Sequence, residues 1–226
     1  KMTDQSLKPG ARNLITDVDG ISVGHATDEK VQTGVTVLRC EHAYIAAADV
    51  RGGAPGTREI DVLSSENLVG RADAIVPAAV LHDLANDGDK EWGETPPYRS
   101  LGMEAVRSAG ADFTLGSIGA GRGAMAGLVK GGLGSASLIL ENGVTVGALV
   151  AANPVGSVYM ADGESFHAWP YEIDDEFGGR KPPSQRENAE PFPDKSRLHL
   201  RAEAGANTTI AIIATNADLT NVEAKR

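Results

Sequence analysis

The sequence predicts a mixed α/β domain, rich in short strands and tight turns, on three observations. Glycine is abundant, at 27 of 226 residues, aromatic residues make up only 4%, and the 41% that are hydrophobic fall in short periodic runs punctuated by Gly, Pro and Asn. A helical bundle does not carry that glycine load, and a disordered chain does not carry that apolar share. A chain of this length buries a full core, so residues 1–226 are read as a single domain.

The elements follow in order. Ile15 to His25 reads as a short strand, an Asp19-Gly20 turn and a second strand. Thr33 to Cys40 and Ala43 to Val50 read as a hairpin, followed by the loop Arg51-Gly52-Gly53-Ala54-Pro55-Gly56-Thr57-Arg58-Glu59, whose accessible amides suit either a carboxylate or a plain corner. Pro77 interrupts the apolar run from Ala72 to Leu84, and Trp92 and Tyr98 tuck down the polar loop between them. Leu101, Ala105, Val106 and Ala109 recur at helical spacing, predicting a helix from Tyr98 to Ala109 with Gly110 as its stop. Ala136 to Leu140 and Val144 to Ala151 form a second hairpin on Asn142-Gly143, and Ile210 to Ala214 reads as a buried-type strand. Residues 172 to 203 are charged and proline-rich, a solvated connector too long for a routine link.

Composition narrows the function. The balance of 21 Lys and Arg against 31 Asp and Glu, a net charge of -10, repels phosphate backbones and argues against nucleic acid. No apolar leader and no long apolar run are present, which reads as a soluble cytoplasmic protein with no membrane partner. The lone cysteine, Cys40, lies in an apolar run and reads as a buried strand residue rather than a nucleophile. The five histidines show neither HxH nor HExxH spacing, so no metal is expected.

Gly119-Ala120-Gly121-Arg122-Gly123-Ala124 fits the GxGxxA form of a dinucleotide fingerprint, with Glu141 twenty positions beyond Gly121. A dinucleotide site needs a helix straight after that loop. The seven glycines from Gly119 to Gly134, at about 1 kcal/mol each relative to Ala, oppose one, so no cofactor is expected.

What remains is Ala204-Gly205-Ala206-Asn207-Thr208-Thr209, a small and flexible approach, an Asn, a hydroxyl residue and then a strand. A self-cleaving peptide bond needs that arrangement, because a Thr freed at its amine carries its own base. The same residues also fit an N-glycosylation pattern and an ordinary turn entering a strand, and local sequence leaves all three readings open.

Taken with Ile15 to His25, Asp49 to Glu59, Gly116 to Ser137 and Ala152-Asn153-Pro154-Val155-Gly156, the Asn207-Thr208-Thr209-Ile210 junction resembles a known family. This is the self-processing aminopeptidase and amidase family (peptidase family S58/P1), which includes the D-aminopeptidase/esterase, the β-peptidyl aminopeptidases and the nylon-oligomer hydrolase. The Asn-Thr junction is most similar to the nylon-hydrolase branch. The resemblance implies a four-layer αββα sandwich of the N-terminal-nucleophile-hydrolase type, cut between Asn207 and Thr208 into fragments 1–207 and 208–226, with Thr208 as nucleophile. It also implies that Asn153 steadies the oxyanion, that Lys130 stands for the family lysine near the nucleophile, and that His82 occupies a position where relatives carry a catalytic tyrosine. The implied substrate is a small amide or a peptide with a free amino end, and the implied assembly a homo-oligomer, a tetramer in relatives. The family pattern has a Gly-Gly-Ser-containing helical segment after Ile75-Val76, where this sequence passes straight to Pro77, and it continues past residue 226. An uncleaved, non-catalytic relative serving as a binding or scaffold protein is the alternative of a different class, and a dinucleotide-binding protein the third.

Overall fold

The computed structural model describes residues 7–51, 56–58, 60, 63, 71–72, 78–160, 162–182 and 208–225. Residues Ile15–Asp17 form a 3-10 turn rather than the expected strand. The cause is Asp17, whose carboxylate draws the backbone round on itself by accepting from the amides of Arg12 at 3.0 Å and Leu14 at 3.3 Å, and from the Ser137 hydroxyl at 2.7 Å. Burial works to raise the Asp17 pKa, but these hydrogen bonds and the Arg12 charge together outweigh it and hold the carboxyl below its ordinary value. Since the folded value lies below the unfolded one, near 3.9, its contribution is complete above about pH 4 and is lost as pH falls through the folded value. Asp17→Asn is therefore expected to lower stability at neutral pH and to flatten the acid slope below about pH 4. Urea midpoints measured across pH check this, and an unchanged slope would contradict it.

Strand β1 (Ile21–Asp28) pairs antiparallel with β2 (Thr33–Cys40), from Ile21 opposite Cys40 to Asp28 opposite Thr33. The hairpin expected between β2 and the following segment is not formed. The two-residue β3 (Tyr44–Ile45) pairs instead with β5 (Arg71–Ala72), and β4 (Thr57–Arg58) with β6 (Ala78–Ala79). Asp28 explains the change of partner, because its carboxylate accepts the amides of Lys30 and Val31 at 3.0 and 2.9 Å and closes the β1–β2 turn without an Asn-Gly pair.

Helix α1 (Tyr98–Arg107) lies on this hairpin, burying Leu101 and Ala105 against Ala26, Val35 and Val37. It ends slightly short of Gly110, which exchanges backbone hydrogen bonds with Val23 at 3.0 and 3.1 Å. Gly24 sets the close approach: a Cβ there would overlap the Ala105 carbonyl and stand 2.7 Å from the Ala109 amide. The Trp92 and Tyr98 rings, expected to tuck the polar loop down, meet each other edge to face at 5.9 Å, with Tyr98 37% exposed.

After α1, Gly119–Gly121 makes a 3-10 turn that runs into the small hairpin of β7 (Met125–Ala126) and β8 (Val129–Lys130). The strand–loop–helix unit of a dinucleotide site is therefore not formed there. Then come β9 (Gly132–Ile139) and β10 (Thr145–Asn153), joined through Asn142-Gly143 as expected, with Gly143 at φ 82° and the Val144 amide bonded to the Asn142 side chain at 3.1 Å. Strand β11 (Thr208–Thr215) pairs on the other side of β10, giving the order β11-β10-β9. The inner face of this sheet, Leu133, Leu149 and Ala151, packs with Ile15 of the 3-10 turn and Val23 of the first hairpin. Helix, hairpin and sheet thus form three successive layers.

Strand β11 is not the buried strand its sequence suggests, since Ile213 is 73% exposed. It lies at the edge of its sheet, with β10 as its one ladder neighbour among the described residues. The connector expected over 172–203 is folded in its first third. Glu172 accepts the amides of Phe177 and Gly179 at 2.6 and 2.9 Å, and Phe166 contacts both Tyr159 and Phe177. Residues 183–203 lie outside the described residues. Helix α2 (Asn221–Lys225) closes the described chain, hooked by the Asn221 amide to the Ala46 carbonyl at 2.6 Å. No helix among the described residues is long and apolar enough to cross a membrane.

Candidate active site

Asn153, the last residue of β10, is fully buried. Its carboxamide is held by two backbone groups of opposite polarity. Oδ1 accepts the Met125 amide at 2.9 Å, while Nδ2 donates to the His82 carbonyl at 2.9 Å. An amide N–H only donates and a carbonyl only accepts, so these two contacts fix which way the carboxamide faces. The Asn86 side chain adds a donor to Oδ1 at 3.5 Å.

Thr208 opens β11 directly opposite Asn153 in the ladder. Opposed residues of an antiparallel pair have Cα atoms about 4.5–5.5 Å apart. A strand end thereby holds a partly buried hydroxyl residue beside a buried amide donor.

The other two candidates reach the same point. His82 contributes its carbonyl, and its ring Nδ1 is buried with no hydrogen-bond partner among the described residues. Lys130 lies opposite Met125 in the β7–β8 pair, and the Met125 amide is the one bonded to Asn153, so the Lys130 backbone flanks the site although its side chain is exposed. His82 and Thr208, 126 positions apart in sequence, thus both meet Asn153, whereas Lys130 approaches only through the pairing of its backbone with Met125. Asn207 lies outside the described residues.

Sequence reasoning missed Thr33, Asp83 and Asn86. Asp83 is 4% exposed and accepts the Thr33 hydroxyl at 2.7 Å. Burial, opposed by a hydrogen bond from Thr33 and assisted by the Asp83 charge, pushes the nearby Tyr98 phenol up. No spacing marks these residues, because each lies on a different segment and only the fold joins them.

A buried amide donor beside a strand-end hydroxyl residue is an arrangement that acyl chemistry can use. Comparison with known proteins assigns the family. The sequence profile of peptidase family S58 matches residues 13–78 and 70–226, and the chain belongs to that family of hydrolases. The two matched pieces overlap at residues 70–78, close to the departure from the family pattern at Pro77. An uncharacterized aminopeptidase of Mycobacterium leprae is 35% identical over 269 aligned positions, covering 97% of this chain and 72% of the relative. That alignment is longer than the 226-residue chain, so the relative carries stretches without a counterpart here. Among solved structures, the PH0078 protein from Pyrococcus horikoshii is similar with a TM-score of 0.64 and 26% identity, over 97% of this chain and 67% of that one. The L-aminopeptidase D-Ala-esterase/amidase from Ochrobactrum anthropi, described as a variant of the Ntn hydrolase fold, shares the fold with a TM-score of 0.57 at 19% identity, over 97% of this chain and 67% of its own.

Proposed function

We propose that this chain is a self-processing amide hydrolase of the N-terminal-nucleophile type, acting on small amides or on peptides with a free amino end. Cleavage before Thr208 frees its α-amine, whose ordinary pKa of about 8 suits a base near neutrality. The hydroxyl oxygen attacks the substrate carbonyl carbon and its proton passes to the amine. The amine then protonates the leaving nitrogen, and water hydrolyses the resulting ester. Asn153 donates to the oxyanion, with His82 and Lys130 flanking the reacting atoms. A whole protein of the four-layer αββα type, cytoplasmic and assembled as a homo-oligomer, belongs to the same reading.

The single observation that supports it most is the ladder pairing of Thr208 with Asn153, which brings a strand-end hydroxyl residue beside a fully buried amide. Intact-mass measurement of the purified chain under denaturing conditions tests it. Two species ending and beginning at the Asn207–Thr208 bond are expected, and one uncut species persisting for days would sink the proposal.

A further inference from the structure

Four hydrogen bonds join residues 82–86, 123–125 and Asn153, and one buried side chain, that of Asp83, lies within this arrangement. Asp83 follows His82 directly, and its carboxylate is held by the Thr33 hydroxyl at 2.7 Å, with both residues buried. The Asn86 amide donates to the Asp83 carbonyl at 3.0 Å and closes residues 83–86 into a turn. The Asn86 side chain then grips the Gly123 carbonyl at 2.6 Å. Gly123 has no room for a side chain, because a Cβ would overlap the Asp83 carboxylate and stand 2.5 Å from the Gln32 carbonyl. At its two ends this turn presents the groups that meet Asn153, namely the His82 carbonyl and the Asn86 amide.

We infer that Asp83 is a positioning residue for the Asn153 carboxamide, acting through its bond to Thr33 and its seat against Gly123. This rests on the reading of Asn153 and Thr208 as the reacting site. A buried carboxylate stays where its donor is, since moving away leaves it without water or hydroxyl. The turn is therefore fixed to the start of β2, and with it the carbonyl that orients Asn153. Farther along, Lys90 donates to the Val31 and Gln32 carbonyls at 2.6 and 3.2 Å, a second tether that keeps the loop attached when Asp83 is changed.

The test compares Asp83→Ala with Asp83→Asn, which keeps an acceptor for Thr33. Three quantities are read: the rate of cleavage before Thr208, kcat and KM on an amino-terminal amide, and the Asn153 side-chain amide signals in 15N spectra. Asp83→Ala is expected to lower kcat and the cleavage rate by about tenfold or more, with KM nearly unchanged, and to move the Asn153 signals. Asp83→Asn is expected to restore all three. Unmoved signals with kcat within about twofold of the parent overturn the proposal, even if stability falls. If Thr208→Ala retains turnover, the reading of the nucleophile fails separately, and the Asn153 signals alone decide whether Asp83 positions it. Should Asp83→Ala not fold, Thr33→Val against Thr33→Ser gives the same comparison, with loss expected only for valine.

Discussion

Thr208→Ala is expected to give a single uncut chain and no measurable amidase activity, with rate falling by roughly 10⁴ or more and stability almost unchanged. The two halves of that expectation come from different parts of the residue. Strand β11 is held to β10 by backbone hydrogen bonds along eight paired positions, from Asn153 opposite Thr208 to Val146 opposite Thr215, and an alanine makes the same bonds. The hydroxyl is the part removed, and in the proposed mechanism it is the nucleophile in both self-cleavage and turnover. Thr208→Ser keeps a hydroxyl and should still cut. Mass spectrometry beside thermal unfolding separates the outcomes, and turnover persisting in a folded Thr208→Ala would assign the chemistry elsewhere.

Changing Asn153 should cost both activity and fold. Asn153→Ala removes the partners of the Met125 amide and the His82 carbonyl, each worth about 1–3 kcal/mol when left unsatisfied in the interior. A loss of about 2–4 kcal/mol follows, together with a fall in kcat of about 10²–10³ for a missing oxyanion donor. Asn153→Asp isolates part of this, because it can still accept from Met125 but sets a carboxylate oxygen against the His82 carbonyl. Urea unfolding and kcat measured on the same samples check the pair. A stable Asn153→Ala variant with parental kcat would refute both the packing and the catalytic argument.

The sequence discloses those parts of the fold that local signals decide. The helix from Tyr98 and the Asn142-Gly143 hairpin are legible because helical spacing and turn chemistry lie within a few residues. The β1–β2 pairing is not, since its turn depends on the Asp28 carboxylate rather than on glycine, and the neighbouring Tyr44–Ile45 competes on paper as a partner. Ile15–Asp17 was hidden for a similar reason: its apolar pattern suits a strand, but Asp17 finds Ser137, 120 positions away, and bends the chain. The site divides in the same manner. Thr208 and Asn153 carry a family resemblance, whereas Asp83 and Asn86 are ordinary polar residues whose importance exists only through contacts with Thr33 and Gly123.

The way β11 joins the sheet bears on the order of events in the life of the chain. Asn153 and Thr208 are neighbours in space but 55 positions apart in sequence, and the groups holding Asn153 come from Met125 and His82, farther upstream still. Contacts of such separation form late, after the entropy of closing long loops has been overcome. If the chain cuts itself as proposed, it emerges intact and the first cut serves as a timestamp for completed folding. Under that proposal, the cut fraction followed after dilution from denaturant would report how many molecules have reached the native topology.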